Sequence, residues 1–168
     1  MISDKIRDIL NDQINKEFYS AYLYLSMSAY FSEIGLYGFA NWAKVQSKEE
    51  IDHGMILFEY ILGRNSQIHL AQIGMPNFDM SSPIEVFEQI YNHERSITSA
   101  IDCVAEMTEG ECDLATRNFI DWYLREQIEE EASVSRIIAK LKAFGAEKSA
   151  LYLIDRELST REYSSLNY

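Results

Sequence analysis

Proline is almost missing from this 168-residue sequence: Pro76 and Pro83 are the whole complement. Neither 1–75 nor 84–168 therefore holds a residue that would break a helix from within. Glycine is scarce as well, seven in all, and Gly35, Gly63, Gly110 and Gly145 fall where helical stretches would stop. The two cysteines, Cys103 and Cys112, make no CxxC and no disulfide framework. That usage suits a reducing compartment, and both are expected to be inert. Long apolar runs are lacking too. The longest uncharged stretch, Phe18–Ser32, contains four serines and is shorter than the roughly 20 residues a membrane helix needs. The start, MISDKIRDIL, is charged from its fourth residue, so no signal peptide is expected. Basic residues are outnumbered, 15 Lys and Arg against 27 Asp and Glu, for a formal net charge of -12. That balance is a poor match for nucleic acid or an anionic membrane and a good one for cations. With 47% hydrophobic and 25% charged residues, the composition is that of a globular chain. The expectation is one domain over 1–168, soluble and cytoplasmic.

What is present is helical periodicity. A first segment, about Ser3 to Glu33, carries Ile6, Leu10, Gln13, Glu17, Ala21, Tyr24, Ser28 and Phe31 at steps of three or four. A second, about Leu36 to Gly63, carries Phe39, Ala43, Gln46, Glu50, His53, Leu57 and Ile61. The third opens with Ser82-Pro83-Ile84-Glu85, an N-cap serine, a proline at the first helical position and a capping-box glutamate. Its stripe is Phe87, Ile90, Glu94, Ile97, Ile101 and Val104, ending at Gly110. The fourth, about Asp113 to Phe144, carries Thr116, Ile120, Tyr123, Gln127, Glu130, Val134, Ile137 and Leu141. A short fifth runs from about Lys148 to Leu158. The links between segments one and two, and three and four, are a few residues long, so each pair must be antiparallel. The link NSQIHLAQIGMPNFDMSS is long enough to travel the length of a bundle. An all-α four-helix bundle with one long crossover and a short fifth helix follows.

Each of the four stripes carries polar side chains where packing alone would place leucine or isoleucine. They are Glu17; Glu50 with His53; Glu94; and Gln127 with Glu130. All lie near mid-helix, so they could meet at one height inside the bundle. Unpaired buried carboxylates cost several kcal/mol each and repel one another. No lysine or arginine falls on the inward stripes beside them, which leaves a metal as the simplest counter-charge. The spacings repeat. Glu17 to Glu50 and Glu94 to Gln127 are both 33 residues, and Glu17/Glu94, Glu50/Gln127 and His53/Glu130 are all offset by 77. Two half-sites related by a pseudo-two-fold axis are expected. Carboxylates with a single imidazole suit iron or manganese better than a closed zinc site.

The pattern is that of di-iron carboxylate bundles. The whole chain resembles the bacterial non-haem ferritins. The resemblance is carried by Glu17, Glu49-Glu50-Ile51-Asp52-His53, Glu94, the stretch from Trp122 through Gln127 to Glu130, and the tail Ile154-Asp155-Arg156-Glu157-Leu158. It implies that Glu17 and His53 bind one iron, that Glu50 bridges, and that Glu94 and Glu130 bind a second with Gln127 beside it. It also implies a third, looser iron site from Glu49, Glu126, Glu129 and Glu130. Tyr24 resembles the tyrosine next to such centres, an electron-donor candidate. The implied activity is oxidation of Fe(II) by O2 or H2O2, with ferric mineral stored in a hollow 24-subunit homo-oligomer. Haem is not expected, because Ile51 and Asp52 stand where a bacterioferritin carries its haem-ligating methionine and Gln127-x-x-Glu130 replaces a second Glu-x-x-His.

Other residues take blander readings. His93 lies one position off its stripe, His69 is in the crossover, and Trp42 and Trp122 read as packing residues. The first helix is apolar beyond its inward stripe, at Phe18, Tyr19, Tyr22, Leu23, Leu25 and Tyr30, so it must be covered on more than one side. Subunit contacts are therefore expected. The rival class is a di-iron oxidase or peroxidase of the rubrerythrin type without storage, which would normally add a cysteine-rich electron-transfer module absent here.

Overall fold

The computed structural model describes residues 2–78 and 82–165. It is all-α: α1 (Asp4–Glu33), α2 (Tyr37–Gly63), α3 (Pro83–Gly110), α4 (Leu114–Phe144) and α5 (Lys148–Leu158). No strand occurs among the described residues. The crossover between α2 and α3 is non-helical from 66 to 78, and its expected residues Asp79, Met80 and Ser81 lie outside the described residues.

The helix starts follow the capping chemistry of the sequence. Ser3 accepts from the Ile6 amide, Asp113 from the Thr116 amide, and Ser82 forms a full capping box with Glu85 ahead of Pro83. Each such cap satisfies an amide that would otherwise have no partner, worth about 1 kcal/mol. The α2 start has no capping side chain of its own. Asp155 of α5 supplies it from a distance: its Oδ1 accepts from the Gly38 and Phe39 amides at 2.7 and 3.0 Å. A Cβ at Gly38 would lie 1.6 Å from the Asp155 carbonyl oxygen, so glycine is what lets α5 dock there. The stops are subtler than glycine alone. Gly35 takes φ +79 in the α1–α2 turn, yet Gly63 and Gly110 are the last helical residues. The left-handed conformation falls two residues later, on Asn65 and Cys112.

α1 packs on α2 and α3 on α4, with α1 also against α3 and α5 lying across α2 and α4. Phe39 near the start of α2 meets Phe87 near the start of α3, their rings 5.7 Å apart, so these helices run parallel, as a long crossover requires. Two apolar clusters occupy the ends of the bundle. One joins Phe31, Phe39, Trp42, Phe87 and Leu141; the other joins Ile6, Leu10, Leu57, Ile101 and Ile120. Burying each such side chain contributes about 1.5–3 kcal/mol. Between the clusters lies a band of buried polar residues.

The expectation for α1 is met in part. Leu23 and Tyr30 are buried by the chain itself, and Phe18 and Tyr19 are half-buried. Tyr22 and Leu25 remain about half exposed, beside Ile51 and Ile73, in an apolar groove on the α1/α2 face. No helix among the described residues is long and apolar enough to cross a membrane.

Candidate metal centre

Glu17 comes from α1, Glu50 and His53 from one face of α2, Glu94 from α3, and Gln127 and Glu130 from one face of α4. An i,i+3 step brings both members of each pair to the same side of their helix. None of the six is more than 6% exposed, and Tyr24 is fully buried among them.

The α1/α2 half is the more converged. Glu17, Glu50 and His53 each offer a ligand atom, all within 4.8 Å of one another. His53 Nδ1 is 3.3 Å from Glu50 Oε2 and 3.8 Å from Glu17 Oε2. Gln13 donates to Glu17 Oε1, while Glu17 Oε2 and His53 Nε2 are buried with no hydrogen-bond partner. Buried polar atoms are nearly always paired, so two orphans on one group of ligands are atoms set aside for something else. The surrounding wall is aromatic: the Tyr123 ring lies 5.2 Å and the Trp122 ring 5.7 Å from the imidazole.

In the α3/α4 half the same positions are already engaged. Tyr24 donates its hydroxyl to Glu94 Oε1, and Gln127 Nε2 donates to Glu94 Oε2 at 3.4 Å. Gln46 Nε2 donates to Glu130 Oε2 at 2.8 Å. Glu94 and Glu130 form no three-ligand group of their own among the described residues.

Burial sets the protonation. It raises the Glu17 carboxyl and lifts Glu50 well above the usual range, with Glu94 and Glu17 adding repulsion at Glu50. Glu94 is pushed up to about 7 and Glu130 to about 8, again chiefly by burial. Burial also lowers His53 to about 4, so its imidazole is neutral and free to ligate. Burial therefore favours the protonated form of these carboxyls, and a cation bound among them would displace those protons. Oxygen donors with one imidazole and no thiolate favour a hard ion such as iron or manganese.

The outlying candidates also come together, with one difference. Glu49, Glu126, Glu129 and Glu130 wall a cavity of about 270 Å³, with Glu49 and Glu126 raised by burial. A cation is already there: Arg161 Nη2 lies 2.5 Å from Glu49 Oε2. The inward stripes do lack lysine and arginine, but this arginine arrives from the segment after α5. Nothing in helical periodicity could have found it. Gln13, Gln46 and Tyr123 were legible as stripe residues, though not as partners of the ligands. His93 stays off the site, its Nε2 2.7 Å from Ser20 Oγ, and His69 is exposed in the crossover. Trp42 is buried in the apolar cluster, and Cys103 and Cys112 are free and exposed.

Residues 7–144 match the family described as a ferritin-like domain. The chain is 38% identical over 161 residues to a protein of Bacteroides fragilis named bacterial non-heme ferritin, covering 96% of this chain and all of that one. A Staphylococcus aureus protein of the same name is 36% identical over 163 residues, covering 97% and 98%. Among solved structures, a closed form of the Archaeoglobus fulgidus ferritin, obtained by site-directed mutagenesis, superposes with a TM-score of 0.96. It is 45% identical, covering 98% of this chain and all of that one. The open pore ferritin of the same archaeon superposes with a TM-score of 0.95 at 46% identity, covering 96% and 99%.

Proposed function

The chain belongs to the ferritin family, and from that premise we propose that it is an iron-storage ferroxidase, one domain over 1–168. Its substrate is Fe(II), its oxidant O2 or H2O2, and its place the cytoplasm. The observation that carries this reading is the group Glu17, Glu50 and His53, buried with orphaned atoms on Glu17 and His53. Nothing about packing accounts for that group, and a bound cation does.

Glu17 and His53 hold the first Fe(II), Glu50 reaches across, and Glu94 and Glu130 hold the second beside Gln127. Glu49, Glu126 and Glu129 supply, with Glu130, an outer third site. Carboxyl protons leave as the ions enter, and the resulting carboxylates favour the harder Fe(III), which assists oxidation. Two Fe(II) ions give up one electron each, so O2 takes up two electrons and two protons to leave as H2O2. Tyr24, hydrogen-bonded to Glu94, is the electron-donor candidate: where a third Fe(II) is oxidised as well, its electron and proton would be the fourth of each that takes O2 to two waters. The half-exposed Tyr22 and Leu25 are covered by neighbouring subunits, in a shell of 24 copies whose interior stores the ferric product.

Aerobic addition of excess Fe(II), followed by size-exclusion chromatography, tests the reading. Rapid oxidation with soluble ferric mineral co-eluting with a large assembly is expected. Rapid oxidation with precipitated iron would point to a non-storing di-iron oxidase or peroxidase, and elution as a monomer would remove the shell.

A further inference from the structure

The segment after α5 is strapped to α2 by contacts that do not use the Arg161 side chain. Asn41 Nδ2 donates to the Arg161 carbonyl oxygen at 2.9 Å and reaches those of Leu158 and Ser159 at 3.3 and 3.4 Å. Farther along, the Tyr163 hydroxyl donates to Asp52 at 2.8 Å, and Lys48 Nζ lies 5.0 Å over the Tyr163 ring. With α5 itself anchored by Asp155 on the α2 start, the position of residue 161 is set from both sides.

That anchoring delivers a guanidinium to a definite place. Its Cζ lies 5.0 Å over the Trp42 ring, a cation–π contact, while Nη2 pairs with Glu49. Nη1 is buried without a hydrogen-bond partner. Arg161 and Glu49 share the wall of the acidic cavity with Glu126, Glu129 and Glu130. Glu130 belongs both to this cavity and to the centre on α2 and α4. A divalent ion among these carboxylates would sit against a fixed positive charge at short range in a partly desolvated site, where repulsion is strong. Guanidinium and ion are therefore alternatives for the same carboxylates.

Resting on the metal-centre reading above, we propose that Arg161 is a tethered counter-cation that competes with a third metal ion for the Glu49–Glu130 cavity. The chain then keeps two ions in its centre and admits a third only as the guanidinium leaves Glu49. A planar fork stacked on an aromatic ring suits this role better than a flexible ammonium would. Arg136, also on the cavity wall, is an exposed second cation that adds to the same charge but lacks the pairing with Glu49.

The test counts Fe(II) bound per chain by equilibrium dialysis without oxidant, in the assembled wild type, Arg161→Gln and Arg161→Gln/Glu49→Gln. Wild type should hold two ions tightly and a third weakly. Arg161→Gln should bind the third at least about tenfold more tightly with the first two unchanged, because the competing charge is gone. The double variant should lose that gain. Equal third-ion affinity in wild type and Arg161→Gln overturns the proposal while leaving the centre intact. Failure of wild type to bind the first two ions overturns the metal-centre reading itself. Should Arg161→Gln fail to fold, Arg161→Met, which keeps an unbranched stem against Trp42 but carries no charge, decides: a third-ion gain of about tenfold supports the competition, and wild-type affinity overturns it.

Discussion

On the α1/α2 side of the polar band, Glu17, Glu50 and His53 converge to within 4.8 Å and leave two buried atoms without partners. On the α3/α4 side, offset by 77 residues in sequence, Glu94 and Glu130 accept hydrogen bonds from Tyr24, Gln127 and Gln46. Gln13 also donates to Glu17, but that half keeps ligand atoms with no partner, whereas both oxygens of Glu94 are engaged. The physical difference is substitution at matched positions. Glutamine at 127 stands at the position matching Glu50 and brings a group that donates, and glutamate at 130 stands at the position matching His53. With both Glu94 oxygens already accepting, ligation there competes with those hydrogen bonds, so the second ion should bind more weakly than the first.

The largest expected effect follows from breaking the converged half. Glu50→Ala or His53→Ala should slow the initial oxidation of Fe(II) by about 100-fold, the upper end of the cost of losing even a residue that only supports a metal ligand. Stopped-flow absorbance reads it, and an unchanged initial rate would sink the ligand assignment. Breaking the other half should do less. Glu130→Ala should cost about tenfold in initial rate, with first-ion affinity, measured by calorimetry without oxidant, close to wild type. If both halves respond equally, they are equivalent sites. Tyr24→Phe sharpens the distinction further: it removes one donor from Glu94 and should change the rate about fivefold, the equivalent of one hydrogen bond of ~1 kcal/mol.

The smallest effect is on stability, through pH. Glu94 and Glu130 stand at about 7 and about 8 in the folded chain, against 4.5 for an ordinary glutamate. Folding therefore takes up protons between those values, and the metal-free protein loses stability as pH rises through that range. His53, at about 4 against 6.5, works oppositely, adding stability as pH rises over its own interval. Above about pH 6.5 the carboxyl effect stands alone, so the metal-free Tm should fall by a few degrees up to about pH 8. Saturation with redox-inert Zn(II) should flatten the slope, because the ions take the place of the protons. A metal-free Tm that rises over the same interval would mean that these carboxyls are not protonated when empty.

Much of this was readable in one dimension because helices impose a period. The five helices begin and end within a residue of where caps and glycines predict, and the band residues Glu17, Glu50, His53, Glu94, Gln127 and Glu130 sit at helical spacing on faces that must turn inward. Tyr24 was equally legible, one step along the same stripe. The unreadable parts lack a period. Asp155 caps α2 from more than a hundred residues away, and the Arg161 guanidinium enters the acidic cavity from the irregular segment after α5. Leu23 and Tyr30 read as outward-facing and are in fact covered by the chain's own packing.

The sequence alone determined the helices, their inward stripes and the surplus of carboxylates among them, because local propensity, capping and periodicity are short-range properties. Tertiary structure decided which of those carboxylates keep an oxygen without a partner. Whether Glu17 keeps an orphaned oxygen while Glu94 is held by Tyr24 depends on which side chains from other helices come within about 3 Å, the reach of a hydrogen bond. So does the pairing of Glu49 with an arginine. No stripe records those distances, since they are set by how the four helices and the final strap pack together.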